Sequence, residues 1–283
     1  MARAPNGVDR ARLNVVARRV LLDAITALRE QRDAVIVVGA QAVYLRSEDD
    51  DLTGSAFTSD ADLGIDPRAL KQLPLIEQAI QEAGFRRHED ARAQPGQWWR
   101  IEQVDGNAVR IEVDLLVPES FSVPGSRRSA VIPPHAKGAT RKVPGLEPTV
   151  VDNDCLAIRS LEPELDRRTI TVKVAGAASL LVAKTYKIND RLDQRSGRLS
   201  DKDAGDVIRL MQTSDAHTVA DVFARLVRDP AVGEVSQRGL DLLGSQFGTP
   251  RSPGVEMAVR AMAGVTPERT IRALAPAYVR VLT

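Results

Sequence analysis

Apolar residues recur at helical spacing from early in the chain. Leu13, Val16, Val20, Ile25 and Leu28, with arginines between them, predict a helix over 8–31. The pattern then changes: Ala34-Val35-Ile36-Val37-Val38 is a short all-apolar run suited to a buried strand. Gly39 ends it, and 40–46 reads as a short helix entered directly from that strand. A polar, acidic loop over 47–57 precedes a second expected strand over 61–65, which Asp66-Pro67 ends. A helix over 73–83, stopped by Gly84, and a hairpin of 98–104 with 108–117 follow. Asp105-Gly106-Asn107 supplies the turn chemistry between the two hairpin strands.

The stretch 118–148 is rich in Pro, Gly, Ser and basic residues and reads as a loop with one short strand near 130–132. Further strands are expected near 150–158 and 169–174. From Gly176 the pattern turns helical and stays so, with helices marked by Leu180, Leu181 and Ile188, by Val207, Ile208 and Leu210, and over 219–227 and 256–263. There is no internal repeat and no low-complexity tract. The expected organisation is an α/β (α+β) core over 1–175 with a small mixed sheet, then a helical domain over 176–283.

Composition narrows the function classes. Lys+Arg is 39 and Asp+Glu 38, a net charge of +1, so the chain is neither a polybasic nucleic-acid coat nor an acidic disordered tail. Its one cysteine, Cys155, excludes an internal disulfide framework, a zinc ribbon and a CxxC redox site, and its apolar neighbours suggest an inert core thiol. No apolar run approaches the roughly 20 residues of a membrane helix. The first residues lack the apolar stretch of a secretory signal, so a soluble cytoplasmic protein is expected.

The chemistry concentrates in Thr58-Ser59-Asp60-Ala61-Asp62-Leu63. Residues i and i+2 of a strand share a face, so Asp60 and Asp62 project together. Paired carboxylates repel unless a cation lies between them, and hard oxygen ligands suit Mg²⁺. Asp114 sits in Ile111-Glu112-Val113-Asp114-Leu115, where an unpaired charge would be costly. A third carboxylate on a neighbouring strand would complete a site for Mg²⁺. Alternatively, Glu112 and Asp114 pair with Arg100 or Arg110 across the hairpin. Gly39, at a strand-to-helix junction, offers backbone N–H groups to a phosphate. Neither a GxxxxGK[ST] nor a GxGxxG motif is present.

Gly39-Ala40, then Asp60-x-Asp62, then Asp114 resembles the nucleotidyltransferase fold of the polymerase-β-like superfamily. The series VGAQAVYLR, TSDADL, VDLLVP, VAKTYKINDR and DKDAGDVIRLM, over 38–211, is similar to the AbiEii-type nucleotidyltransferases, toxins of type IV toxin–antitoxin and abortive-infection systems. The last two segments are the more diagnostic: a Lys-bearing helix with Lys184, Lys187 and Arg191, then an acidic helix with Asp203 and Asp206. Lys184, Lys187 and Arg191 fall at i, i+3 and i+7, on one helical face. Such a face opposite a carboxylate–Mg²⁺ cluster would hold a triphosphate. The plainer alternative is that Lys184 and Lys187 make solvent-screened salt bridges with Asp203 and Asp206, worth about 0–1 kcal/mol each. Ala40 stands where the family pattern has a second Gly or a Ser; Thr58 or Ser59 offers a hydroxyl instead.

The resemblance implies transfer of a nucleoside monophosphate from an NTP to an acceptor hydroxyl, with Mg²⁺ or Mn²⁺. Asp60, Asp62 and Asp114 would be catalytic and metal-holding. Gly39, Ala40, Ser59, Lys184, Lys187, Asp203 and Asp206 would bind the NTP, the helical domain completing the cleft. It further implies the 3′ end of tRNA as acceptor and a separately encoded antitoxin as partner, with no membrane. A small-molecule acceptor of the aminoglycoside kind, a protein acceptor, or a non-catalytic NTP- or RNA-binding role are the alternatives. Among other residues, His88, His135 and His217 lack metal-ligand spacing, and His135 reads as a loop residue. Trp98-Trp99 offers rings that could stack a base, against which stands the need for one of two adjacent strand residues to face the core. Arg127, Arg128, Lys137, Arg141 and Lys142 form a basic loop that either tracks an RNA backbone or is simply solvated.

Overall fold

The apolar run 35–38 becomes an interior strand of a mixed sheet. A computed structural model of the chain describes residues 9–47, 60–87, 94–123, 128–193 and 201–283. The first elements are α1 (Arg10–Ala27), β1 (Val35–Val38), α2 (Gly39–Arg46), β2 (Asp60–Ile65), α3 (Ile76–Glu82), β3 (Arg86–Arg87), β4 (Gln97–Val104) and β5 (Asn107–Pro118). Then come β6 (Arg141–Val143), β7 (Asn153–Arg159) and β8 (Thr169–Ala175). The strand order is β3-β4-β5-β2-β1-β8-β7, with β6 added beside β5. β1 runs antiparallel to β2 and parallel to β8, and β2 runs parallel to β5. Asp105 and Gly106, both at positive φ, close the β4–β5 hairpin as the sequence predicts.

Side-chain alternation divides the sheet into two faces. Ala61, Leu63, Ile65, Ile111, Val113 and Leu115 are buried on one of them, as is Trp98. On that face α1 reaches the sheet through Asp23, which accepts from Arg100, and Arg19, which donates to Glu102. The intervening positions, Asp62, Glu112 and Asp114 among them, therefore project to the other face.

One expected strand is displaced. Residues 130–132 form no strand; Ser129 keeps only an isolated bridge to Arg141, and β6 at Arg141–Val143 pairs with β5 instead. Pro133-Pro134 follows that segment at once and supplies no N–H donors. β6 takes over where β4 ends, since β4 reaches only to Gln97, opposite Asp114, and β6 pairs with Leu116–Pro118. Gly96 makes this hand-over possible. At φ +75, a Cβ on it would lie 2.5 Å from the Arg141 nitrogen and 2.6 Å from the Leu115 oxygen.

The C-terminal region is helical: α4 (Ala177–Asp193), α5 (Lys202–Thr213), α6 (Ala216–Arg228), α7 (Gly233–Phe247), α8 (Pro253–Ala261) and α9 (Glu268–Leu282). The sequence pattern marked α4, α5, α6 and α8 but not α7 or α9. Gly239 and Gly244 interrupt α7 and Pro276 lies inside α9, all local breakers. Burial of Leu242, Leu243 and Phe247, and of Ile271, Ala275, Tyr278 and Val279, overrides them.

Among the described residues the chain gathers into two compact units. One comprises Met1–Gln41, Phe57–Val143 and Asn153–Val174; the other comprises Ala42–Ala56, Pro144–Asp152 and Ala175–Thr283. No helix among the described residues is long and apolar enough to cross a membrane.

Candidate functional site

Two clusters hold the residues singled out above, one in each unit. In the sheet unit, register brings the carboxylates together. Asp60 pairs with Glu112 and Asp62 with Asp114 on the parallel strands β2 and β5. Parallel partners share a face and lie about 4.8 Å apart at Cα, so Asp62 and Asp114 stand side by side. The backbone of Asp60 begins β2, while its side chain, like the whole of Thr58 and Ser59, lies outside the described residues.

Gly39 belongs to this cluster by a close approach. It opens α2 at φ +68, and a Cβ on it would sit 1.9 Å from Oδ2 of Asp62. Only glycine both adopts that backbone conformation cheaply and leaves room for the carboxylate. Ala40, next in α2, is buried.

The counter-charges differ from the hairpin pairing considered above. Arg110 does pair with Glu112 at 2.7 Å, and Gln97 also donates to Glu112, at 2.9 Å. Arg100, however, points to the opposite face, where it meets Asp23 and Glu102. Asp114 is met instead by Arg141, whose Nη2 donates to Oδ2 at 2.5 Å. Arg141 thus leaves the predicted basic loop: pairing of β6 with β5 brings it to Asp114, a long-range placement no local motif announces. Lys142 reaches Glu119 at 3.7 Å, Arg128 and Lys137 are exposed, and Arg127 lies outside the described residues.

In the helical unit the three cations of α4 converge on α5. The Lys184 ammonium donates to Asp203 at 3.0 Å and to Asp206 at 2.6 Å. Lys187 lies 3.4 Å from Asp203, and Arg191 also pairs with it. Arg209, one turn along α5, lies 3.4 Å from Asp206 and stacks over Tyr44 of α2, 5.6 Å from the ring centre. Lys184, Asp203 and Asp206 are buried, so these are not the solvent-screened pairs considered above. Burial alone would lower the Lys184 pKa, but Asp206 and Asp203 outweigh it and hold it well above the usual lysine range. Burial alone would raise the Asp203 pKa, but Lys184, Lys187 and Arg191 hold it far below the usual carboxylate range. Among the described residues four cations, Lys184, Lys187, Arg191 and Arg209, meet the two carboxylates Asp203 and Asp206. Lys187, with 52% of its side chain exposed, is the member of the cluster most open to solvent. Sequence reading missed Arg209 and Tyr44; the i+3 spacing of Arg209 from Asp206 was the available signal.

Other candidates resolve separately. His135 is a loop residue but a buried one: its Nδ1 accepts from the Ile76 N–H and its Nε2 lies 3.0 Å from the Lys71 carbonyl. Cys155 is exposed on β7, not in the core, because β7 is an edge strand of the sheet. Trp98 is the core member of its pair and donates to the Ala139 carbonyl, whereas Trp99 is partly exposed. His217 is exposed at the start of α6, and His88 lies outside the described residues.

Among the described residues no group of three His, Cys, Asp or Glu is placed to hold a metal ion. Of the carboxylates at issue, Asp62 and Asp114 are described in full and stand in register. Their donor set is hard oxygen alone, which fits Mg²⁺ or Mn²⁺.

No family model matches the chain, and no curated protein matches it. A solved structure from H. pylori, provisionally named a nucleotidyltransferase, aligns with 89% of this chain and 96% of its own, at 10% identity and a TM-score of 0.28. A likeness at that level carries no argument.

Proposed function

We propose that the protein is a metal-dependent nucleotidyltransferase that moves a nucleoside monophosphate from an NTP to an acceptor hydroxyl, the new phosphoester bond replacing the α–β phosphoanhydride bond and pyrophosphate leaving. The observation that carries this reading is the register of β2 and β5, which sets Asp62 beside Asp114 while Gly39 closes on Asp62. In this reading Asp60, Asp62 and Asp114 would hold Mg²⁺ or Mn²⁺. The bound ion would supply Lewis-acid stabilisation of charge on the transferring phosphoryl group. Asp114, oriented by Arg141, accepts the proton of the acceptor hydroxyl.

The α4–α5 cluster is the proposed polyphosphate contact. Lys187 is the exposed cation and Arg191 a partly buried one, both paired with buried Asp203, which Lys184 also holds. Gly39 and Ala40 add backbone N–H groups at the start of α2, and Ser59 a hydroxyl. From the motif resemblance, the proposed acceptor is the 3′ end of a tRNA and the proposed partner an antitoxin encoded separately.

The test uses purified protein, Mg²⁺, each α-labelled NTP in turn, and total tRNA. Label should move to tRNA from one or two NTPs, and Asp62→Asn should reduce transfer at least ~100-fold. Bound NTP with no transfer to RNA would redirect the acceptor to a protein or small molecule. Absence of NTP binding would overturn the reading.

A further inference from the structure

The sheet face that carries Asp62 and Asp114 continues outward across β5, β4 and β3. Register aligns Asp60, Glu112, Trp99 and Arg86 in one row across four adjacent strands. Cross-strand partners share a face, so Glu112, Trp99 and Arg86 project on the side of the candidate carboxylates. Trp98, one residue away, is fully buried on the opposite face. The pleat thus sends one tryptophan to the core and the other to this row.

The surroundings of Trp99 fit a planar, electron-rich ring with a negative charge beside it. The Arg110 guanidinium lies 5.0 Å from the Trp99 ring centre, and Glu112 fixes that guanidinium at 2.7 Å. Arg86 is exposed and has no ion-pair partner among the described residues. Ile101, two residues along β4 and so on the same face as Trp99, is a large apolar side chain with half its surface exposed. Gly84, Arg86, Trp99, Arg100 and Ile101 line a hollow of about 210 Å³. Pockets that enclose a whole small molecule run to roughly 300–1,000 Å³. A hollow of this size suits one ring system of a longer ligand.

Distance fixes which part of the ligand that is. Trp99 lies two strands from Asp60 and Arg86 three, about 10 and 14 Å at the strand spacing of sheets. A base at Trp99 is thus set back from the reacting position by a nucleotide or two.

We propose that Trp99, with Arg110, Ile101 and Arg86, forms a stacking subsite for one base of a single-stranded acceptor, Arg86 meeting its phosphate. The inference rests on the nucleotidyltransferase reading and adds where the acceptor strand lies. Stacking on Trp99 is sequence-tolerant, because every base has a π-face.

The test is binding of a short fluorescein-labelled single-stranded RNA to the full chain, with transfer measured in parallel. Trp99→Ala should weaken binding about 5- to 150-fold, and Trp99→Phe should retain most of it. Arg86→Gln, at an exposed position without an ion-pair partner among the described residues, should reduce the slope of log K against log salt by roughly 0.7. In a Trp98→Phe background, RNA should quench the remaining tryptophan emission. Asp62→Asn should bind the RNA normally while failing to transfer. Failure of the parental chain to bind the RNA, or equal binding by Trp99→Ala and the parent, would overturn the subsite. Transfer to RNA with an acceptor KM untouched by Trp99→Ala would overturn it too, leaving the transferase reading in place. RNA bound through Trp99 with neither transfer nor NTP binding would sink the transferase reading alone.

Discussion

Asp62 and Gly39 constrain each other. A methyl group on Gly39 would meet the Asp62 carboxylate, and the backbone there is left-handed. Gly39→Ala should therefore cost more than the ~1 kcal/mol of a glycine replaced at positive φ without a clash. A second substitution, Asp62→Ala, should recover part of that loss, because it removes the carboxylate, whose Oδ2 and Cγ are the two nearest atoms in the way. Urea unfolding of the single and double variants checks this; equal midpoints for Gly39→Ala and the parent would show that the close approach is not maintained in solution. The shared face of Asp60 and Asp62 follows from the i, i+2 rule, and the glycine from its place after an apolar run. That the two meet is visible only once β1 and β2 pair antiparallel. The same limit hid Arg141, 27 residues from its partner Asp114.

Helices α4 and α5 are joined through one buried ammonium. Lys184 lies between two carboxylates with only 5% of its side chain exposed, so removing its charge leaves Asp206, wholly buried, facing Arg209 alone. Lys184→Met should cost about 3–5 kcal/mol, whereas Lys187→Met, at a half-exposed pair, should cost under about 1 kcal/mol. Equal urea midpoints for these variants would show that the buried pairing does not hold the helices together. At this scale periodicity was informative wherever the local pattern was unbroken. It placed Lys184, Lys187 and Arg191 on one face, and they do meet one acidic helix. It failed for α7 and α9, whose glycines and proline contradict their own apolar stripe. It also failed for β6, three residues too short to show alternation.

For the whole molecule, the shifted carboxylates set the acid limit of stability. Asp203, Asp166, Asp215 and Glu256 all have lowered pKa values, the first despite burial and the others through hydrogen bonds from Arg168, Thr218 and Arg272 respectively. A lowered folded pKa gives stability that is present above the unfolded value, near 4, and lost as pH falls through the folded one. Lys184, raised, contributes fully below its unfolded value near 10.4 and loses that contribution only as pH rises past it. The urea midpoint should therefore be level between about pH 5 and 9 and fall below about pH 4. Lys184→Met should flatten part of that acid decline; an unchanged profile would mean that Asp203 is not held ionised by the cluster. The sequence by itself determined what short-range periodicity encodes: the helices and strands with unbroken apolar stripes, the hairpin turn at Asp105-Gly106, and which charges share one element's face. The tertiary structure alone decided which faces meet. It brought Arg141 to Asp114, buried Lys184 between Asp203 and Asp206, exposed Cys155 on an edge strand, and aligned Arg86, Trp99 and Glu112 in a row with Asp60. Strand register and strand order join residues tens of positions apart, and no local spacing carries that information.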